Sequence, residues 1–485
     1  MIGMLLLATI VANLPQPTPR PAPPATAAPP ATAGAVSALP AVDAALALPY
    51  PAYGAPQPQV IRMRRAANVG ATVTLAEATA IAVDRLPSLA AARAEVALED
   101  ASVALARTGL APDVSISGSA TYDYLQGGTS AASAAAATTG LSGQTNSASL
   151  SLSQLIFDGG RIRAKIDAAS LTRDATLATY RRDTQTVAYD VASAFYTLLQ
   201  DERTVAVDGQ LLAQDVVSEN LVRAQIRAGT VAGADLSTQL ATTANARTTL
   251  VGAQGTLQND RVAFATALGL DADIDVLPRD DTAGLETATP ATALPAFDSA
   301  LAIAYAERPD ADEARLTIRS SEASLRAAQR GLSPSLSLSA AKGLESSDIG
   351  GGAYRNNGSV GFSVAIPVYD QGVTRADIAS SRASVAIAKA DAATTRLTVQ
   401  QDVRQALIGI VSDRATLDQT RAAYAAALSS LQSTQGQYRV GVSTLPALIQ
   451  AEATLASAAA NIVDSIYRLR LADSNLRYAL GTILQ

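Results

Sequence analysis

The chain states one pattern twice, and that repetition limits its fold more than any other feature, because two copies of a unit must build two copies of a structure. Leu86-Pro87 followed by Ala92-Arg93 returns as Arg308-Pro309 followed by Ala314-Arg315. Gly109-Leu110-Ala111-Pro112 returns as Gly331-Leu332-Ser333-Pro334, again 222 residues later. Ile156-Phe157-Asp158-Gly159-Gly160 then answers Val368-Tyr369-Asp370-Gln371-Gly372, and Arg227-Ala228-Gly229 answers Arg439-Val440-Gly441. Leu268-Gly269 answers Leu480-Gly481, and these three pairs are 212 residues apart. The first copy therefore carries ten extra residues, placed in the Gly-, Ser-, Thr- and Ala-rich tract Gln126 to Asn146, which reads as an exposed loop.

The segments flanking that tract have a period of two. Asp113, Ser115, Ser117, Ser119, Thr121 and Asp123 alternate with Val114, Ile116, Gly118, Ala120, Tyr122 and Tyr124, and Ser147, Ser149, Ser151 and Ser153 alternate with Ala148, Leu150 and Leu152. In the second copy Ser335, Ser337 and Ser339 alternate with Leu336, Leu338 and Ala340. Ser359, Gly361 and Ser363 alternate with Val360, Phe362, Val364 and Ile366. Each copy thus offers one hairpin, 113–157 and 335–368, with one apolar and one hydroxyl-rich face. Its strands match the roughly 9–11 residues that a tilted strand needs to cross a bilayer. A half-buried sheet in a soluble domain has the same pattern, so the surrounding sequence decides between the two.

That surrounding sequence is helical. No proline occurs from Asp113 to Leu277, and Pro446 is the only one after Val368. Apolar residues at Ile162, Ile166, Ala169, Val187, Val191, Ala194 and Leu198 recur at the spacing of an amphipathic helix. Alanine along such seams lets helices approach closely, and Arg181, Arg182, Asp183 and Gln185 are expected on solvated faces. An uninterrupted run from Gly160 to Ala228 would extend roughly 100 Å. The expectation is a bundle of long coiled helices bearing a small β part.

Composition removes whole classes of function. Cys, His and Trp are absent, which excludes disulfides, His/Cys zinc sites, His- or Cys-based triads and a histidine switch. The serines sit at alternate strand positions rather than in a nucleophile setting, so no catalytic residue, cofactor or metal ligand is expected. A net charge of -6 argues against nucleic acid as a partner.

Residues 1–13 read as a signal peptide: Ile2 to Ala12 are apolar apart from Thr9, too few to span a bilayer. Residues 14–71 read as a Pro/Ala-rich flexible linker, since 13 of the 22 prolines fall between Pro15 and Pro58. No later stretch has 18 uninterrupted apolar residues, so any membrane crossing falls to the strands. Four strands enclose no useful lumen, and open edges cannot lie in lipid with their amides and carbonyls unsatisfied. Several copies must then join. Three would supply twelve strands with apolar faces outward, although the sequence itself does not set that number.

These residues together resemble the TolC-like outer membrane factors, the trimeric exit ducts of bacterial efflux pumps and type I secretion systems. The landmarks are Leu75 to Leu89 with its Ala and Pro placements, Ala111-Pro112, Ser151-Leu152-Ser153-Gln154-Leu155-Ile156-Phe157-Asp158-Gly159-Gly160, the Arg-x-Gly turns and the terminal Leu-Gly. They cover about residues 72 to 484. The resemblance implies a first repeat at 72–270 turning near 229, an inter-repeat linker at 271–293, and a second repeat at 294–484 turning near 441. Each repeat would hold a helix, a strand hairpin and a long helical hairpin. The trimer would form a twelve-strand barrel in the bacterial outer membrane and an α-helical barrel in the periplasm. By the same resemblance, the tips at Arg227, Gly229, Arg439 and Gly441 meet a periplasmic adaptor (a membrane fusion protein) serving an inner-membrane RND or ABC pump.

Asp235 and Tyr438 look like a gate latch, a carboxylate and a phenol tying neighbouring tip helices. Val114, Ile116, Leu150, Leu152, Leu336, Leu338, Val360, Phe362, Val364 and Ile366 would face lipid. The chain departs from the family where relatives carry paired aspartates past the second tip. It has Ala447 and Gln450 there, and Ser443 where an arginine is common, which puts a charged filter in doubt. The absence of cysteine also removes the lipid-modified N-terminus of several members. The competing expectation is a non-channel periplasmic coiled-coil structural or adaptor protein, which would lack the paired serine-alternating strands.

Overall fold

The computed structural model describes residues 71–124, 142–229, 232–271, 276–279, 294–347 and 355–485. The expected leader, nearly all of the linker and most of the inter-repeat segment lie outside them. The first copy runs β1 (Ala71–Val73), α1 (Leu75–Arg85), α2 (Pro87–Thr108), β2 (Asp113–Tyr124), β3 (Ser142–Phe157), α3 (Arg161–Arg227) and α4 (Gly233–Ala267). After β4 (Val276–Pro278), the second copy runs α5 (Phe297–Glu307), α6 (Pro309–Gln329), β5 (Ser335–Ser347), β6 (Arg355–Ala365), α7 (Val373–Arg439) and α8 (Leu445–Leu480).

Where one helix was expected before each hairpin, the structure has two. Leu86 and Arg308 adopt extended backbone, ψ 123° and 121°, because the ring of the following proline disfavours the helical region for the residue before it. Pro87 and Pro309, whose missing N–H costs nothing at a first helical position, then start α2 and α6. α1 opens on a capping box in which Thr74 Oγ1 accepts from the Glu77 amide (3.3 Å) and Glu77 Oε2 accepts from the Thr74 amide (2.9 Å).

β1 and β4 form a short parallel pair, Ala71 opposite Val276 and Val73 opposite Pro278. This pairing draws Ala71 and Val276–Pro278, both within segments expected to be linkers, into the folded unit. The other four strands form one antiparallel sheet in the order β2-β3-β5-β6, so the β3–β5 pairing joins the two copies. β3 begins at Ser142 and takes the last residues of the expected loop tract into the sheet. β6 stops at Ala365, leaving Ile366 just past the strand, because Pro367 has no N–H to continue a ladder.

α3 and α7 are each 67 residues long, about 100 Å. Both start from an aspartate that caps the helix. Asp158 accepts from the amides of Gly160 (2.9 Å) and Ile162 (2.7 Å), and Asp370 accepts from those of Gly372 (3.1 Å) and Thr374 (2.7 Å). Hydrogen bonding from Thr374, its side chain first and its amide second, and from the Gly372 amide holds the Asp370 carboxyl below its ordinary range. α3 packs on α2 and α6 toward the sheet and on α4 and α8 toward the far end, while α7 packs on α6 and α8.

The core is a chain of small clusters. One joins Ala78 and Ala82 to Val191, Phe195, Leu198, Phe264 and Tyr467, and another joins Ala300 and Ala304 to Val399, Val403, Ile410 and Ala479. Two polar residues expected on solvated faces lie in this packing instead. Gln185 is buried and donates to Gly481 O at 2.8 Å, and the Arg182 guanidinium lies 3.9 Å from the centre of the Tyr478 ring. No described helix is long and apolar enough to cross a membrane.

Candidate functional site: the two-faced sheet and the helical tips

Strand register decides which side chains share a face. Val114 lies opposite Leu152, Ile116 opposite Leu150, Leu336 opposite Val364 and Leu338 opposite Phe362, while Ala340 lies between Leu152 and Val360. All nine expected apolar positions within strands therefore fall on one face. That face is bare in the protomer: Ile116 is 83% exposed, Val360 76% and Phe362 72%. Leaving large apolar side chains in water at this density is unfavourable by about 25 cal/mol per Å². Something apolar must cover them.

The opposite face is a ladder of hydroxyls. Ser115, Ser117 and Ser119 pair across the strands with Ser151, Ser149 and Ser147 at 2.7, 2.8 and 2.9 Å. Each hydroxyl both donates and accepts, so the ladder meets part of its own hydrogen-bonding need and presents the remainder to water. β2 and β6 are the sheet edges. They run antiparallel to one another and differ by one residue in length, 12 against 11. β6 of one copy can therefore extend the same ladder onto β2 of the next.

The far ends of the long helices carry the second set of candidates. Gly229 (φ 74°) and Gly441 (φ 78°) take the left-handed conformation that ends α3 and α7. At the second tip the amides of Val442 and Ser443 return to Gln437 O at 2.9 and 3.3 Å, closing the turn. Thr444 holds the N-cap position of α8, but its side chain makes no capping bond, and Pro446 lies in the first turn. Arg227 and Arg439 are exposed, as are Val440 and Val442, 74% and 76% exposed.

Tyr438, by contrast, is buried among Val222, Leu431, Leu445 and Leu448. Its hydroxyl donates to Gln225 Oε1 at 2.8 Å, which ties α7 to α3 within the protomer. Burial raises the phenol's pKa, and the nearby charge of Asp235, in the first turn of α4, adds to the rise. The phenol's hydrogen-bond partner is thus Gln225, for which the sequence carried no signal. Ala447 and Gln450 are exposed just beyond.

A third group was not foreseen. Behind the tips Glu452 of α8 is 6% exposed and accepts from Ser218 Oγ at 2.7 Å, with its second oxygen unpartnered. Burial pushes its carboxyl up to about 7; the Ser218 hydrogen bond opposes the rise and the charge of Asp215 adds to it. Where α5 meets α6, against the C-terminus of α8, Arg308, 2% exposed, binds Asp310 (2.7 Å) and Asp402 (2.9 Å). The repeat held a signal for it, since Arg308 stands where the first copy has Leu86.

A sheet that is apolar on one side, hydroxylated on the other and open at both edges, mounted on long helical hairpins, defines one staves-set of a strand-walled channel with a helical extension. A family model described as "Outer membrane efflux protein" matches residues 80–270 and 300–482. The chain belongs to that outer membrane efflux protein family and is an outer membrane channel protein of efflux. It is 25% identical over 398 residues to the outer membrane efflux protein BepC of Brucella suis biovar 1 (strain 1330), covering 81% of this chain and 82% of that one. It is likewise 25% identical over 374 residues to the outer membrane protein TolC of Escherichia coli (strain K12), covering 71% of each. A membrane protein from Pseudomonas aeruginosa shares the fold, with a TM-score of 0.73, 20% identity, and coverage of 84% of this chain and 93% of that one.

Proposed function

We infer that three copies of this chain close a twelve-strand barrel through β6-to-β2 pairing and form the passive, non-enzymatic exit duct of an efflux or type I secretion assembly. The observation that carries this reading is the bare apolar sheet face flanked by two unpaired edges. Lipid satisfies the face, and only closure satisfies the edges. Val114, Ile116, Leu150, Leu152, Leu336, Leu338, Val360, Phe362, Val364 and Ile366 then face lipid, and the serine ladder faces water. The tips at Arg227, Gly229, Arg439 and Gly441 dock a periplasmic adaptor, which couples the duct to an energised RND or ABC pump in the inner membrane. Asp235 and Tyr438, the latter through Gln225, hold the tips closed.

Light scattering on the detergent-solubilised protein tests the assembly, and it should give the mass of three chains. A protein that stays monomeric, and soluble without detergent, refutes the reading.

A further inference from the structure

Among the described residues, one cation interrupts the apolar face. Lys342 of β5 lies opposite Leu150 on one side and Gly358 on the other, in the row that begins with Ile116. It is exposed and makes no ion pair with any described residue. The acidic residue nearest in β5, Glu345, is an odd number of positions away. It belongs to the hydroxyl face, where Arg355 is its cross-strand neighbour. An unpaired charge among leucines on a face turned to lipid is unfavourable at mid-bilayer and costs little near the interface. Its depth and its partner are therefore what need explaining.

Depth follows from the topology. β5 leaves α6 at Ser335, on the helical side, and Lys342 is seven residues further along. At about 3.4 Å per residue and a tilt of about 40°, that is about 18 Å up a band about 25 Å tall. Beyond Leu344 the same face turns polar: Ser346 follows in β5, and Asn356 and Asn146 lie opposite Leu344 and Ser346 in the neighbouring strands. A lysine stem reaches the remaining distance to the outer interface. Opposite it Gly358 carries no side chain, and a Cβ built there would meet the Lys342 Cδ only at ordinary contact distance, 3.5 Å. Beside the stem lies a 370 Å³ groove walled by Leu150, Leu152 and Val360, with Ala340 and Gly358 leaving room between them.

We propose that Lys342 and this groove form a binding site for a phosphorylated lipid of the outer leaflet, with the ammonium on a headgroup phosphate and an acyl chain in the groove. The site rests on the outward orientation of the apolar face given under the proposed function. An ammonium at the interface and a phosphate match in charge, and the groove below them matches an alkyl chain in polarity.

Lysine occurs at only three positions, 165, 342 and 389, which makes the test direct. The detergent-solubilised protein is incubated with diphosphorylated lipid A, with the same lipid dephosphorylated, or with inorganic phosphate. It is then treated with an amine-acetylating reagent and mapped by peptide mass spectrometry, while retained lipid is read by native mass spectrometry. The phosphorylated lipid should protect Lys342 and leave Lys165 and Lys389 unchanged, and neither control should protect it. Lys342→Met should lower retention about tenfold, the loss of one charge-assisted contact, and Lys342→Arg should restore it.

Equal protection by the dephosphorylated lipid or by inorganic phosphate overturns the proposal, as does equal retention by Lys342→Met. If those results come from a protein that still assembles and conducts in bilayers, the lipid site alone falls. If the protein neither enters bilayers nor needs detergent, the channel reading falls with it.

Discussion

Glu452 makes the fold sensitive to pH in a direction that can be worked out from its surroundings. An ordinary glutamate titrates near 4.5, and in the folded chain this carboxyl is pushed up to about 7. The folded state therefore holds the proton more tightly than the unfolded one. Below about pH 4.5 both states are protonated and the group contributes nothing. As pH rises toward 7 the unfolded chain ionises first. Above 7 the folded state carries a buried carboxylate with one unpartnered oxygen. The destabilisation there is about 3 kcal/mol per protomer.

Glu452→Gln keeps an oxygen for the Ser218 hydroxyl and removes the charge. For a chain of this size the gain should appear as a rise of about 3 °C in melting midpoint at alkaline pH and as no rise near pH 4.5. Far-UV circular dichroism melts of the detergent-solubilised protein, taken across pH 4.5 to 9, measure it. Asp201, raised to about 7 by burial and by its neighbour Asp260, titrates in the same range. The quantity to follow is therefore the difference between variant and wild type. A difference that stays constant across the pH range refutes the reasoning.

An arginine at Leu152, near mid-bilayer, should hinder insertion by about 2–4 kcal/mol and one at Val364, close to the inner interface, by much less, whereas one at Ser151 should be tolerated; equal refolding yields of the Leu152→Arg and Ser151→Arg variants into vesicles would contradict the faces assigned here. In planar bilayers the wild-type channel should be mostly closed, and Asp235→Ala combined with Tyr438→Phe should raise its conductance. An unchanged conductance removes the latch.

The sheet was legible because a period of two assigns each residue to a face whatever the chain does elsewhere, and the register places the nine strand positions together as their parity required. The helical breaks at Leu86 and Arg308 were equally written, in the prolines that follow them, although the family resemblance implied a single helix before each hairpin. Three-residue strands such as β1 and β4 carry no periodicity to detect. The buried polar residues were hidden by their chemistry rather than their spacing. Ala178, Gln185, Ala192 and Leu199 are seven apart and all buried, as are Leu445, Glu452, Ala459 and Ile466. Spacing alone marked Gln185 and Glu452 as seam positions, and residue type suggested water instead. The Tyr438 partner was not legible, since Gln225 lies 213 residues away with no motif linking the two.

α3 and α7 match in length to the residue, and each runs from a capped glycine near the sheet to a glycine at its tip. The two act as a matched pair of rulers. One residue inserted into either would swing every side chain beyond it by about 100° and lift that tip by about 1.5 Å relative to its twin. Evolution or an engineer wishing to fit a wider periplasm must therefore lengthen both together, and their antiparallel neighbours with them, in steps of whole heptads.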